Sequence, residues 1–449
     1  MRARSLGILS TVLVAAVVCL GDRAAQAGPQ RLSPNVLIVT IDTLRADHMS
    51  GYGYDRATTP NLDRLMTRGM IFDRARTIEP LTGPALVSMI TSVHPHEHGA
   101  SRNGLRMRSG LPSLPKTLKT RGYRTAALVG NWTLRDKLSG LAEHFEAYDE
   151  VLTRRRWWGL VRREADAEDL TDAAIEWLEE RDRSAPFLLW VHYVEPHAPY
   201  RAHDDYRGQL GLAGAGDLSP HDRYDTEIAF VDDSIGRLLA FLDDSRLRGD
   251  TMIVFASDHG ESLGEHGYWG HGRNLHEPTL RIPMSITWGG VLERQRIDAP
   301  AQNIDIAPTV LGLLGVDPPA EFRGFDWTPV VEGRPAPRDR RTLYQAHRGA
   351  VLSKHDSDLA RRAGLLEVGI IQNEIKELFR VGKNRREIYD LTADPLELQA
   401  IDVDGQAPTE SLLGWMRSVY DGLTAIEEQP PEPLDEESAE ILRSLGYVD

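Results

Sequence analysis

A continuous apolar run, NVLIVTI at positions 35–41, is the feature that most constrains how this chain can fold. A strand with one wet face alternates apolar and polar residues, whereas an uninterrupted β-branched run is typical of a strand buried on both faces. Similar apolar runs recur at residues 125–129, 187–192, 252–256 and 282–288. Helical patterns separate them, at residues 61–68, 84–90, 114–121, 169–180, 225–242 and 306–314. This alternation predicts an α/β fold with a mostly parallel central sheet and helices on both faces.

The chain changes character after residue 335, where shorter and more polar strand patterns occupy residues 342–400. We therefore expect a catalytic α/β domain at residues 34–335 and a small antiparallel subdomain at residues 340–427. A Pro-rich stretch, EQPPEP, begins the last segment, residues 428–449, in which a short helix is predicted at 436–445.

The N-terminus has the pattern of a secretory signal peptide. Arg2 and Arg4 precede an apolar run at residues 6–20, and Ala-Gln-Ala then ends at Ala27. We expect residues 1–27 to be removed and the protein to be periplasmic or secreted, an uncleaved anchor being the alternative. The only cysteine, Cys19, lies inside this segment, so the mature chain has no disulfide and no thiol nucleophile.

Charge excludes one broad class of partner. The formal net charge is −15, which makes general nucleic-acid binding a poor fit. An anionic substrate would need a local positive site, and no transmembrane span is expected after signal cleavage.

Polar residues that are able to bind metal follow the predicted strands. In an open α/β sheet, ligands bind beyond the carboxyl ends of the strands. Each such residue has a plain structural explanation by itself, as a helix cap, a turn or a packed loop histidine. Together they predict one site, whose members are Asp42, Thr82, His197, Asp258 and His259.

A metal set of Asp42, Thr82, Asp258 and His259 offers three oxygen ligands and one imidazole. This mixture suits a hard or borderline divalent ion, namely manganese, zinc, magnesium or calcium. We expect one such ion, with a second one as an alternative. A bound cation would activate the Thr82 hydroxyl, and the helix expected from Pro84 would add free N–H groups that favour an anion.

The same segments resemble the sulfatases of the alkaline phosphatase superfamily over residues 34–448. The motifs that carry the resemblance are NVLIVTIDTLRADHMSGYGYDRATTPNLDRL, LTGPALVSMITSVHPHEHG, LLWVHYVEPHAPY and FASDHGESLGEHGYWGHG. The resemblance implies metal ligands at Asp42, Asp258 and His259, and the nucleophile at Thr82. It also implies a substrate-binding role for His197, and it places His271 where the family usually has a lysine that contacts sulfate.

Besides His271, the chain departs from the family at four positions. Sulfatases carry Cys or Ser, oxidised to formylglycine, at the nucleophile position and Arg four residues later, but here these are Thr82 and Leu86. Threonine cannot give formylglycine, because oxidation of a secondary alcohol gives a ketone. Asn131 replaces the lysine of a Gly-Lys-Trp motif, and Thr43 replaces a second aspartate that often follows the first.

These departures resemble the threonine-nucleophile branches of the superfamily and favour phosphorus chemistry. The sequence therefore predicts a metal-dependent hydrolase of phosphate esters or phosphonates that acts through a covalent threonine intermediate, with His197 and His271 assisting. The alternatives are a sulfuric ester hydrolase, a phospho-group transferase and a non-catalytic binding protein. The expected substrate is an anionic small-molecule, glycan or lipid ester.

The remaining histidines near these motifs are assigned packing or pocket-lining roles rather than catalytic ones. His94, His96 and His98 are expected to cap and pack the chain beyond the site, and His192 to lie in the core. His266 and its neighbour Glu265 are candidates for the pocket lining. Substrate specificity is assigned to two loops, residues 154–163 and 202–219.

Overall fold

The structure is a computed structural model that describes residues 33–156, 161–349, 364–401 and 407–426. The predicted signal peptide and the helix predicted at residues 436–445 lie outside these ranges. Within the described residues, no helix is both long and apolar enough to cross a membrane.

The strands follow one another along the chain in this order: β1 (Asn35–Ile41), β2 (Met70–Arg76), β3 (Arg124–Val129), β4 (Ala147–Glu150), β5 (Leu152–Arg156), β6 (Val161–Glu164), β7 (Phe187–Tyr193), β8 (Thr251–Ser257), β9 (Ser262–Leu263), β10 (Trp269–Gly270), β11 (Met284–Trp288), β12 (Gln295–Gln302), β13 (Thr342–His347), β14 (Leu365–Gln372), β15 (Ile375–Arg380) and β16 (Arg385–Asp390).

The α-helices are α1 (Pro60–Met66), α2 (Thr82–Thr91), α3 (Pro95–His98), α4 (Leu114–Lys119), α5 (Asp136–Ser139), α6 (Ala167–Glu180), α7 (Pro220–Asp244), α8 (Glu277–Leu280), α9 (Ile306–Leu313), α10 (Thr328–Val331) and α11 (Glu410–Ile426).

Eight strands form the central sheet in the order β12-β2-β11-β8-β1-β7-β3-β4. Only β11 runs antiparallel to its two neighbours, β2 and β8, and the other paired strands of this sheet are parallel. The mostly parallel α/β sheet predicted from the sequence is therefore confirmed.

Strand β1 lies in the middle of this sheet and is buried on both faces. Val36 and Ile38 join one apolar cluster, whereas Leu37 and Val39 join another on the opposite face. Helices α2 and α9 contribute to the first cluster, and α1, α6 and α7 to the second. Because helices cover both faces, the open places for a ligand are the strand ends.

The polar C-terminal strands form a separate antiparallel sheet in the order β13-β14-β15-β16, as expected. Helix α11, which the sequence analysis missed, packs on this sheet through Leu412, Val419 and Leu423. The proposed domain boundaries at residues 335 and 340 stay predictions.

Several strands escaped prediction because their sequences are polar. The central-sheet strands β2, β4 and β12 read MIFDRAR, AYDE and QRIDAPAQ. The loop predicted at residues 154–163 instead contains parts of two paired antiparallel strands, β5 and β6. Residues 157–160 between them lie outside the described ranges.

Replacing Trp415 by alanine should destabilise the protein by about 3–5 kcal/mol, the usual cost of deleting a buried indole. Trp415 is 7% exposed, packs against His94 and His96, and donates from Nε1 to the Tyr344 carbonyl at 2.8 Å. Denaturant-induced unfolding measures the change. The matched control is Trp269→Ala, at a site 53% exposed, which should cost under about 0.5 kcal/mol. Equal effects of the two substitutions would contradict this account of α11.

Candidate active site

Two neighbouring parallel strands bring Asp42 and Asp258 together. In the pairing of β1 with β8, Ile41 lies opposite Ser257, so the next residue of each strand is an aspartate at the same edge of the sheet. Both carboxyl groups are almost completely buried. The sheet register alone therefore places two acids side by side, as the sequence predicted.

This acid pair lacks partners for two of its oxygens. Asp42 Oδ1 and Asp258 Oδ2 are buried and have no hydrogen-bond partner among the described residues. Burial, together with the repulsion from Asp258, raises the pKa of Asp42. Burial also raises the pKa of Asp258. Two buried carboxylates facing each other are costly unless a cation or protons compensate them.

The other oxygen of Asp258 is fixed by the backbone. Asp258 Oδ1 accepts hydrogen bonds from the backbone N–H groups of Thr43, at 3.1 Å, and His259, at 2.7 Å. Thr43 has φ of 57°, a left-handed conformation that is strained for a β-branched residue. This strained turn directs the Thr43 backbone N–H to the Asp258 carboxylate.

His259 completes a group with the geometry of a metal site. Its Nε2 lies 3.4 Å from Asp258 Oδ2 and 3.8 Å from Asp42 Oδ1, and one ligand atom of each residue falls within 4.8 Å of the others. The Nδ1 atom is 2.9 Å from the Gly260 carbonyl, which accepts a hydrogen bond only from a protonated Nδ1. The lone pair is then on Nε2, the atom that faces the two acids.

This donor set fits a divalent cation. Two orphaned carboxylate oxygens and an imidazole lone pair converge on one buried point, and burial holds the pKa of His259 well below its usual value. A neutral imidazole is the form that binds a metal. Hard and borderline divalent ions accept such mixed oxygen and nitrogen ligands, so these three residues would hold one.

Thr82 lies beside this group, at the start of α2. Its Oγ1 is 3.3 Å from His259 Nε2, and the residue is fully buried. A helix cap, one of the plain structural explanations for the strand-end and loop residues, does not apply to Thr82, because Leu81 is the N-cap residue and no side chain caps this end. The Thr82 hydroxyl is therefore directed to the site rather than to the backbone of its own helix.

The free N–H groups predicted at the start of α2 are mostly absent. Pro84 has no N–H, and the Ala85 N–H donates to the Leu81 carbonyl at 2.9 Å. The Gly83 N–H donates to Asn103 Oδ1 at 2.9 Å. Asn103, a residue that the sequence analysis did not single out, keeps a buried Nδ2 without a hydrogen-bond partner in the described chain. An amide side chain thus replaces the helix N–H groups as the donor at this end.

Two further predicted residues, His197 and His271, join the group. The His271 ring centroid lies 4.4 Å from that of His259 and 5.1 Å from that of His197. Glu261 Oε1 lies 3.0 Å from His271 Nδ1, and His197 Nδ1 lies 2.7 Å from the Ala198 carbonyl. Burial and the neighbouring His271 lower the pKa of His197 to about 4, so His197 is neutral at pH 7.

Two unpredicted residues contact Asp42. Asn131 Nδ2 donates a hydrogen bond to Asp42 Oδ2, and His192 Nε2 lies 3.8 Å from the same oxygen. His192 was expected to be only a core residue. Thr40 Oγ1 lies 2.8 Å from His192 Nδ1 and also accepts a hydrogen bond from Trp190 Nε1. Asn131 and His192 both lie at the ends of predicted strands, so the strand-end rule could have found them, whereas Asn103 carries no such signal.

The remaining histidines lie outside the metal group. His98 bonds Ser88, His96 bonds Gln345, and His94 packs against Trp415, which agrees with their expected packing role. His266 stacks on His276 with ring centroids 3.8 Å apart.

His266, His276 and Glu397 form a second group of ligand types, but cations already satisfy it. Arg380 Nη2 lies 3.1 Å from His276 Nε2, and Lys376 Nζ lies 2.7 Å from Glu397 Oε1. We therefore interpret this group as a set of polar contacts and ion pairs that attaches the loop before α8 to the C-terminal sheet.

Comparison with protein families identifies the class. The family model described as Sulfatase matches residues 34–316, more than half of the chain, and a second model, described as N-sulphoglucosamine sulphohydrolase, C-terminal, matches residues 264–413. The chain belongs to the sulfatase family. It is a hydrolase of ester bonds, as the sequence predicted.

Individual relatives extend this result. An N-acetylglucosamine-6-O-sulfatase of Bacteroides thetaiotaomicron is 26% identical, over 84% of this chain and 85% of its own length. The solved structure of BT4656 in complex with its substrate D-glucosamine-2-N,6-O-disulfate has a TM-score of 0.68 at 23% identity, covering 89% of this chain and 99% of that one.

A phosphonate monoester hydrolase of Agrobacterium radiobacter has the same TM-score of 0.68. Its identity to this chain is 20%, with 87% of this chain and 95% of that one covered. At such identities the two solved structures establish the shared fold.

Replacing Asp42 by asparagine should have opposite effects on metal binding and on metal-free stability. Loss of one charged ligand should weaken binding of the divalent ion at least about a hundredfold, measured by metal analysis after dialysis against buffered free metal. The chelator-treated variant should melt at a higher temperature than chelator-treated wild type, because one buried repulsion is removed. Asp205→Asn, an exposed change of equal charge, is the control. Unchanged metal content in Asp42→Asn would contradict the assigned site.

Proposed function

We propose that this chain is an exported, metal-dependent hydrolase of singly charged tetrahedral esters, with sulfuric esters as its principal substrates and Thr82 as its nucleophile. The sequence motifs alone favour phosphate esters or phosphonates as the substrate class. The family membership and the named relatives support sulfuric-ester hydrolysis better. Export rests on the signal-peptide pattern at residues 1–27.

One observation carries the proposal: the Thr82 hydroxyl lies 3.3 Å from His259, within a buried group whose two aspartates have unsatisfied oxygens. A hydroxyl buried beside a predicted cation site is in the place that a nucleophile requires. When bound there, a divalent cation would supply a Lewis acid that favours the ionised hydroxyl and withdraws charge from the ester oxygens.

Charge balance favours a substrate with one negative charge. The groups that contact Asp42, Asp258 and His259 in the described chain are hydroxyl, amide, backbone and imidazole groups, and none is a lysine or an arginine. The two aspartates and one divalent ion together are neutral, and the repulsion that Glu164 and Glu261 exert on Asp42 adds to the negative side of the balance. A sulfuric or phosphonic monoester then adds one negative charge, whereas a phosphate monoester adds nearly two at pH 7.

The side chains of the site have separate tasks in the proposed reaction. The Thr82 hydroxyl gives up its proton to solvent, and Oγ1 then attacks the central atom and forms a covalent ester while the bond between that atom and the alcohol oxygen of the substrate breaks. Glu261 orients His271 through Nδ1, which leaves Nε2 to deliver the proton to that alcohol. Asn103 Nδ2 is a fixed donor for an ester oxygen next to Gly83. Water then attacks the central atom, the bond to Oγ1 breaks, Oγ1 regains a proton, and the oxyanion is released.

Phosphonate monoesters are the second candidate substrate class. Threonine excludes formylglycine, so the site must release its covalent ester by direct hydrolysis, a route open to phosphorus as well as to sulfur. The phosphonate monoester hydrolase of Agrobacterium radiobacter shares the fold, and a phosphonate monoester has the same single charge as a sulfuric ester.

A sugar is the alcohol that we favour in the substrate. Trp269 is 53% exposed and lies two residues before His271. Its ring rests on Gly264, where an added Cβ would approach the indole to 3.1 Å. A fixed, exposed indole beside a reactive site offers a flat apolar surface to a sugar ring. The N-acetylglucosamine-6-O-sulfatase relative also carries a sugar in its name.

A matched panel of nitrophenyl sulfate, a nitrophenyl phosphonate monoester and nitrophenyl phosphate tests the charge argument. With metal added, kcat/KM should be highest for the sulfate, lower for the phosphonate, and at least about tenfold lower still for the dianionic phosphate, because the neutral metal group offers no further positive charge to compensate a second negative charge. Glucosamine-6-sulfate compared with ethyl sulfate tests the sugar preference. Fastest turnover of nitrophenyl phosphate would contradict the proposal.

Thr82→Ala should lower kcat on the best substrate by about a thousandfold or more, because it removes the nucleophilic oxygen. Thr82→Ser keeps a hydroxyl and should retain far more activity than the alanine variant. Metal content should be measured in both variants, so that loss of the ion is separated from loss of the nucleophile. An alanine variant with full metal and undiminished kcat would show that a water molecule attacks instead.

A further inference from the structure

A small pocket lies at the end of the sheet opposite to the active site. It has a volume of about 100 Å³ and lies between α1, α7 and the turn that precedes β8. Three arginines line it: Arg64 on α1, Arg68 just beyond the end of α1, and Arg248 in the turn before β8. The rest of the lining is Asn61, Leu65, Gly236, Leu239, Ala240 and Asp243. We call this the arginine pocket.

The three guanidinium groups of the arginine pocket are poorly compensated. In the described part of the chain none of them forms an ion pair with a carboxylate, although Asp243 is part of the lining. The one hydrogen bond recorded for them joins Arg64 Nη1 to Asn61 Oδ1 at 3.4 Å. Acids outnumber bases in this chain by 67 to 52, so three unpaired arginines in one pocket are unexpected.

Arg248 has the strongest need for an anion. Its Nη1 is buried and has no hydrogen-bond partner among the described residues. Burial lowers the pKa of Arg248, and the positive charge of Arg68 adds to this effect, whereas Asp243 opposes it. A buried guanidinium N–H without an acceptor costs free energy that a bound oxyanion would recover.

The arginine pocket is separate from the active site. Arg248 lies three residues before β8, whereas Asp258 directly follows the last residue of the same strand. A strand of seven residues at about 3.3 Å per residue spans about 23 Å. One tetrahedral ester cannot contact both places.

We propose that the arginine pocket binds a tetrahedral oxyanion, a sulfate or phosphate group that is either free or carried on a larger anionic molecule. Guanidinium groups match such oxygens with paired N–H donors. The pocket volume of about 100 Å³ leaves room for a group of this size.

Calorimetric titration of the full mature protein with sodium sulfate, at constant ionic strength, tests the proposal. Wild type should bind one sulfate in a step that Arg248→Gln weakens at least about tenfold, because a charge-assisted donor is lost. Any heat from sulfate binding at the active site should be the same in wild type and in Arg248→Gln, so it drops out when the two titrations are compared. Inorganic phosphate should compete for the same step.

Two further variants separate a loss of binding at the pocket from misfolding and from a general charge effect. Arg68→Gln changes an exposed side chain of the pocket, so it should weaken the step even if Arg248→Gln impairs folding. Arg237→Gln removes the same charge from α7, a helix that also borders the pocket, but Arg237 pairs with Asp172 and does not line the pocket. It should leave the sulfate step within about twofold. Equal weakening by Arg68→Gln and Arg237→Gln would overturn the proposal, because it would indicate only a general charge effect.

A sulfated disaccharide, titrated in parallel, distinguishes the two sources of the anion. Binding to the Arg248-dependent step that is tighter than that of inorganic sulfate supports a group carried on a glycan, whereas equal or weaker binding supports a free anion. The proposal fails if neither titrant shows a step that depends on Arg248 or Arg68.

Discussion

The repulsion between two buried carboxylates is the constraint on which the rest of this site depends. Asp42 and Asp258 are adjacent because β1 and β8 are parallel neighbours in the middle of the sheet, where apolar packing on both faces fixes the register. A strand shifted by one residue would turn its aspartate toward the opposite face. The core therefore stabilises an arrangement that is unfavourable without a cation.

The surrounding residues orient the ligands rather than neutralise them. Asn131 and the strained Thr43 backbone each donate to one aspartate, and the Gly260 carbonyl fixes the His259 tautomer. Because burial lowers the pKa values of His197 and His259, these two imidazoles are neutral at pH 7. A bound cation is then the main source of positive charge in the site. The number of negative charges on an ester therefore decides how well that ester suits the site as a substrate.

Much of this arrangement could be predicted from the sequence, because apolar runs locate the buried strands and parallel strands end at one edge. Asp42, Asp258 and His259 follow from that rule, and so could Asn131 and His192. Asn103 could not, because it reaches Gly83 through a loop fold that no periodicity encodes. The polar strand β2 and helix α11 were missed because their roles depend on distant partners, such as the contact of Trp415 with Tyr344. Leu86, at the position where the family carries arginine, is completely buried in the apolar core.

The central claim is that Thr82 carries the group removed from the substrate. Acid quenching of the metal-loaded enzyme during turnover of a sulfuric ester, followed by peptide mass spectrometry, tests it most directly. We predict a sulfo group on Thr82 in the peptide that begins α2, and none in the same peptide from Thr82→Ala. The claim would be contradicted if the fully metal-loaded enzyme turned over substrate without an initial burst of alcohol release and this peptide stayed unmodified at every quench time.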